Sequence, residues 1–294
     1  MKLLTYQYNG SEAVGVLTGT GDTILPITAL GLGYDSMDAL IRHVAEEELA
    51  ALRTAAFAPP VDGIPYDAVV KTAPIPEPRQ DVICLGYNYL DHVNESGAIQ
   101  EAALSDAPAH PIYFSKRVNR AVPDGGQIRS RPELDEQLDY EAELAVIIGR
   151  DAKNVPAEQA ADYIFGYTIV NDISARTLQV RHGQFYFGKS LDDFTPMGPW
   201  IVTADEVDFP PKLALRSFVN GELRQNSNTE HMLFSIAYII AELSAGMTLK
   251  AGTIIATGTP AGVGAALNPP QFLKAGDVVE CVIQGIGRLR NTVG

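Results

Sequence analysis

From residue 81 to the end, the apolar segments of this chain are short, rich in β-branched residues and interrupted by glycine or proline. Residues 82–86, 142–148, 163–170, 200–203, 213–219, 253–257 and 278–283 have strand length and strand composition. Helical patterns are few, at 89–95, 157–162 and 232–243. Strands and helices do not alternate regularly, which excludes a doubly wound dinucleotide fold and leaves an α+β, mostly β architecture. Residues 1–72 read as a small α+β unit of their own. There, 3–8 and 13–17 are expected to be strands joined by an Asn9-Gly10 turn. Residues 37–56 are expected to form one helix, because Leu40, Ile41, Val44, Leu49 and Leu52 recur at helical spacing. The segment 74–78, PIPEP, then predicts an extended linker and a boundary between units 1–72 and 73–294.

At 294 residues the chain can bury a large core without covalent staples. Its 36 acidic against 22 basic residues give a net charge of −14. That charge repels phosphate backbones and anionic bilayers, so neither nucleic acid nor membrane is expected as a partner. No apolar run approaches the ~20 residues of a membrane span. The start of the chain carries no secretory signature. Cys84 and Cys281 read as buried thiols rather than a disulfide framework. A cytoplasmic location follows as the expectation, and the sequon at 94–96 carries no weight there.

Four stretches carry chemistry. Residues 133–143 hold six acids and no base. Glu133, Asp135 and Glu136 read as a solvated loop. Glu141 and Glu143 open the strand-like run YEAELAVII, and residues two apart on a strand share a face, their Cα atoms ~6.5–7 Å apart. Two carboxylates so placed repel unless a cation lies between them, and hard divalent cations favour such oxygens. The second stretch, GYTIVNDISAR at 166–176, ends a strand in Asn171-Asp172. Asp172 can be a helix N-cap or a third carboxylate. Arg176, four residues on, can bind a substrate carboxylate or pair with Asp172. In the third, GYNYLDHVNE at 86–95, His92 and Glu95 face one another on one helical turn, either as an exposed pair or as an acid/base couple. In the fourth, FGKSLDDF at 187–194, Gly188-Lys189-Ser190 lacks the earlier glycine of a nucleotide-phosphate loop. Lys189 in that aromatic setting can instead stabilise an oxyanion. A last segment, TGTPAGVG at 257–264, is a glycine-rich turn without the dinucleotide pattern. Thr259 there can offer its hydroxyl to a ligand.

Taken in order, NYLDHVNE at 88–95, DYEAELAVIIG at 139–149, GYTIVNDISAR at 166–176, Gly188-Lys189-Ser190 and TGTPAGVG at 257–264 resemble the fumarylacetoacetate hydrolase family over roughly residues 70–294. The N-terminal unit is similar to that of bacterial oxaloacetate decarboxylases and acylpyruvate hydrolases. The resemblance implies a mixed β-sandwich roll and a homodimer. It implies Mg²⁺ or Mn²⁺ held by Glu141, Glu143 and Asp172, and a His92–Glu95 acid/base dyad on a mobile segment. It makes Lys189 the charge-stabilising residue and Arg176, Gln179 and Thr259 substrate contacts. Family members of tyrosine degradation add a fourth metal carboxylate upstream of the histidine. None stands within 82–87 here, which counts against fumarylacetoacetate itself.

The implied substrate is a small 2-keto acid, and the expected chemistry passes through a pyruvate enolate. Oxaloacetate decarboxylation or acylpyruvate hydrolysis is the favoured expectation. Keto–enol tautomerisation of a related acid, needing proton transfer at C3 alone, is the alternative, as is a metal-dependent keto-acid binder without turnover. Tyr186 and residues 98–109 are candidates for reading the substrate beyond C4.

Overall fold

The computed structural model describes residues 1–19, 21–57, 63–95 and 107–294. The Ala142–Ile148 strand lies near the middle of the molecule, and all its residues are buried. A strand covered on both faces reads as a continuous apolar run rather than an alternation, as this one does. It pairs antiparallel with Ile164–Asn171 on one side and with Ile254–Ala256 on the other. These belong to an eleven-stranded mixed sheet. Outward on one side come Val82–Gly86, parallel to Ile254–Ala256, and then Ile112–Lys116. On the other side come Met197–Thr203 and then Lys2–Tyr8, with Leu3 opposite Ile201. The N-terminal strands Ser11–Leu17, Thr23–Pro26 and Ile64–Pro65 complete that edge.

A five-stranded sheet of Glu222–Asn228, Ala214–Val219, Val278–Ile283, Gly287–Val293 and Gln127–Ile128 packs against it. Leu144, Val146, Ile148 and Ile169 meet Leu215, Ile283 and Leu289 there, with Ile239 and Ile240 of the Ile236–Gly246 helix closing the layer. The opposite face, Ala145, Ile147 and Ile201, packs on Leu3, Val16, Leu40 and Leu52 from the N-terminal unit. Each such Leu or Ile contributes about 1.5–3 kcal/mol of burial free energy. The architecture is the strand-rich mixed fold read from the sequence.

Several local expectations are revised. The single helix at 37–56 is two, Met37–His43 and Glu46–Phe57. Val44 is extended between them, with ψ 130°. The Glu48 side chain accepts from Ala45 N–H at 2.9 Å, a cap that starts the second helix afresh. Residues 72–75 of the expected linker are buried, and Pro74 O accepts from the Thr5 hydroxyl at 2.7 Å. Arg176–Arg181 and Phe185–Lys189 are helices too short for periodicity to reveal. Of the stretch 98–109, residues 98–106 lie outside the described residues.

A candidate metal and proton-transfer site

The site forms where two antiparallel strands end together. Ala142 pairs with Asn171, so Glu141 and Asp172 lie side by side just beyond the ladder. Asp172 N–H donates to Glu141 O at 2.8 Å, and Asn171 Oδ1 accepts from Glu141 N–H at 3.0 Å. Glu143 shares the face of Glu141, as the two-residue spacing requires. Glu141, Glu143 and Asp172 each offer a carboxylate oxygen within 4.8 Å of one another, and all three are buried. The choice left open for Asp172 is thereby decided: it caps no helix, and the Arg176–Arg181 helix starts without a side-chain cap.

Buried acids of this density need compensation. Lys189 Nζ donates to Asp172 at 2.6 Å and to Glu141 at 2.8 Å. Lys116, wholly buried, donates to the other Asp172 oxygen at 2.7 Å and to Ile173 O at 3.0 Å. Arg176 pairs with Glu141 at 2.7 Å and with Asp139 at 2.9 Å. Burial alone would raise the pKa of Glu141, but Lys189 and Arg176 outweigh it and hold it at about 2. Burial likewise works against the Lys189 ammonium, and Asp172 and Glu141 overcome that and raise its pKa. Glu143 has no such cation. Burial, then the charges of Asp172 and Glu141, push its pKa well above the usual range. Its Oε2 accepts from Gly258 N–H at 2.8 Å, while Oε1 is buried without a partner.

An orphaned carboxylate oxygen inside an all-oxygen donor set fits a hard divalent cation of the Mg²⁺ or Mn²⁺ kind. Such a cation would supply the positive charge that Glu143 lacks.

His92 lines the cavity beside Glu141, and its partner Glu95 closes the same Leu90–Glu95 helix, Nδ1 and Oε1 2.7 Å apart. His92 is 5% exposed, so the exposed-pair alternative does not hold. Glu95 Oε2 accepts from Gly262 N–H at 2.8 Å, and the Tyr87 ring stacks on the imidazole at 5.2 Å. The cavity is lined by Glu141, Arg176, Gln179, Lys189, Thr259 and His92, and by Leu85, Gly86, Tyr87, Phe114 and Phe185. Gln179 Oε1 accepts from Arg176 at 3.1 Å. The Thr259 hydroxyl donates to Ala142 O at 3.0 Å and accepts from Gln225 at 2.7 Å. Tyr186 is 42% exposed and does not line the cavity.

Residues 81–294 match the family model described as fumarylacetoacetate (FAA) hydrolase C-terminal. The chain belongs to the fumarylacetoacetate hydrolase family. This family member is 49% identical over 222 residues to oxaloacetate tautomerase YisK of Bacillus subtilis, covering 76% of this chain and 72% of the relative. It is 38% identical to the mitochondrial oxaloacetate tautomerase fahd2 of Xenopus laevis, over 100% of this chain and 90% of the relative. A solved fumarylacetoacetate hydrolase from psychrophilic Exiguobacterium antarcticum superposes with a TM-score of 0.82 at 38% identity, covering 100% of this chain and 99% of that one. Among the described residues of this family member, no helix is long and apolar enough to cross a membrane.

Sequence reasoning missed three members of the site. Asp139, assigned no role, is fully buried and accepts from Arg176, Gly264 N–H and Ala265 N–H. Lys116 gave no signal beyond being a lone lysine in an apolar strand. Asp135, read as solvated, is buried and accepts from Gln137 N–H and Leu178 N–H.

Proposed function

We propose that this protein is a divalent-metal-dependent enzyme that interconverts the keto and enol forms of oxaloacetate or a closely related small 2-keto acid. The observation that carries the reading is the His92–Glu95 dyad, 2.7 Å apart, with His92 lining the same cavity as Glu141 of the buried carboxylate triad. A proton carrier beside a cation site is what exchange at a carbon next to a carbonyl needs. The two curated relatives named as oxaloacetate tautomerases support the same choice.

Glu141, Glu143 and Asp172 would hold the cation, Mg²⁺ or Mn²⁺. When bound, it supplies Lewis-acid polarisation of the keto group and a positive field that an acidic chain otherwise lacks. Glu95 fixes the imidazole through Nδ1, which leaves Nε2 to take the proton from C3 and deliver it to the keto oxygen, and to run the same transfer in reverse. Lys189, kept charged by its two carboxylates, stabilises the negative charge that develops on the keto oxygen. Arg176 and Gln179 orient a substrate carboxylate once it competes with Glu141 for the guanidinium.

Cleavage of the C3–C4 bond, the reaction favoured on sequence grounds, would develop charge on the same keto oxygen but leave the enolate of pyruvate. The test follows enol absorbance and pyruvate release in parallel, with oxaloacetate and acetylpyruvate, with and without chelator. Chelator-sensitive enol–keto relaxation without pyruvate is the expected result, and His92→Ala should slow it by about 10²–10⁴-fold. Pyruvate release at the rate of enol loss would replace this reading with C–C cleavage. A melting shift with keto acid and metal but no turnover would make the protein a binder.

A further inference from the structure

The cavity has two unlike sides. One is charged and adaptable: Lys189, Arg176 and Glu141 are long side chains whose pairings can exchange when ligands enter. The other is an interlocked aromatic wall. Phe185 sits at its centre, edge-on to Phe114 at 5.3 Å between centroids and edge-on to Tyr87 at 6.5 Å. Tyr87 is stacked in turn on His92, and its backbone is held at φ +53°, a conformation unusual for a residue with a side chain. Gly86 leaves Phe185 its place, for a Cβ there would lie 3.2 Å from the ring.

Phe185 and Lys189 open and close one short helix, four residues apart, so they face the same way. Their separation along the axis is about 6 Å. The residue that addresses the charged head of the substrate and the ring that bounds its far end are therefore set on one turn of backbone.

We propose that Phe185 is the specificity-determining residue of this site: its ring, packed edge-on to Phe114 and Tyr87 in the space that Gly86 leaves open, limits the substrate to a keto acid with little beyond C4. This rests on the keto-acid reading given above. Phe185 lines the cavity together with Lys189, Arg176 and Glu141, so a longer tail reaching that side meets its ring.

The test uses the full-length, Mn²⁺-supplemented protein and its Phe185→Ala, Phe185→Leu and Phe185→Trp variants. Enol–keto relaxation is measured on oxaloacetate and on 2,4-dioxo acids of increasing acyl length, from acetylpyruvate to benzoylpyruvate. For wild type, kcat/KM should fall steeply as the acyl group lengthens. Phe185→Ala should lose a few-fold on oxaloacetate yet raise the long-to-short ratio by about tenfold or more, the discrimination that pocket methylenes provide. Phe185→Leu should shift that ratio less in the same direction, and Phe185→Trp should lower it. Ratios are read within one preparation, so a partly folded variant still reports, and the leucine and tryptophan variants stand in if alanine fails to fold. An unchanged ratio in all variants, or wild-type indifference to tail length, would overturn the assignment while leaving the keto-acid reading in place. Wild-type silence on every acid would remove both.

Discussion

Glu143 is the residue whose charge the fold supports least. Burial, Asp172 and Glu141 hold its pKa well above the usual carboxylate range, and one of its oxygens has no protein partner. The unfolded chain gives up this proton near pH ~4.3, whereas the folded, metal-free chain keeps it. Unfolding then releases a proton, so the contribution of this group to stability falls as pH rises above about 4.3. Glu143→Gln should flatten that loss in thermal melts of chelated protein between about pH 5 and 8. Glu141 behaves oppositely. With its pKa held at about 2, its contribution is present above about pH 4.3 and disappears as pH falls towards 2, so the acid limb should survive the substitution. The same variant should lose Mn²⁺ binding by calorimetry while keeping its fold. Tight Mn²⁺ binding by Glu143→Gln would remove the metal assignment. Glu141 and Glu143 were legible as a pair because alternation along a strand is a sequence property, whereas Asp172 stood open between a helix cap and a third carboxylate. Lys116 was not legible, because its partner, Asp172, is 56 residues away.

The 257–264 segment shows what an element does that its residues do not announce. On sequence it is a turn. In the fold its backbone N–H groups, with that of Ala265, form a cradle for three carboxylates. Gly258 donates to Glu143, Gly262 to Glu95, and Gly264 and Ala265 to Asp139. Gly262 sits at φ +107°, and a Cβ there would run into the Arg224 carbonyl. Gly262→Ala should cost about 1–3 kcal/mol in urea denaturation. It should also loosen Glu95 and lower kcat by up to ~10²-fold. Loss of stability at unchanged kcat would show that the loop's hold on Glu95 has no part in turnover. Glycine spacing marked the bend. Which donors met which acids depended on a helix at 90–95 and on neighbouring strands at 138–148, two parts of the chain far from this loop.

At the scale of the molecule, the N-terminal strands extend the sheet that carries the site, with Lys2–Tyr8 paired to Met197–Thr203. Leu3 is fully buried in the core that also holds Ala145 and Ile147 behind Glu143. Leu3→Ala should therefore lower global stability by about 2–5 kcal/mol and leave one cooperative transition. A separate low-temperature transition with an intact main melt would show that residues 1–72 unfold on their own. The prolines at 74–78 read as an extended linker and a boundary between units 1–72 and 73–294, and residues 72–75 are buried there.

The sequence by itself determined the strand-rich class, the shared face of Glu141 and Glu143 and the facing of His92 and Glu95. Each of these depends on a repeat of two residues or on one helical turn. The order of its motifs was also enough to place the chain in its family. Only the tertiary structure decided that Asp172 joins the carboxylates, that Lys116 and Asp139 belong to the site and that Phe185 walls the cavity. Those outcomes depend on strand order and register, which bring together residues far apart in sequence through hydrogen bonds that no local pattern encodes.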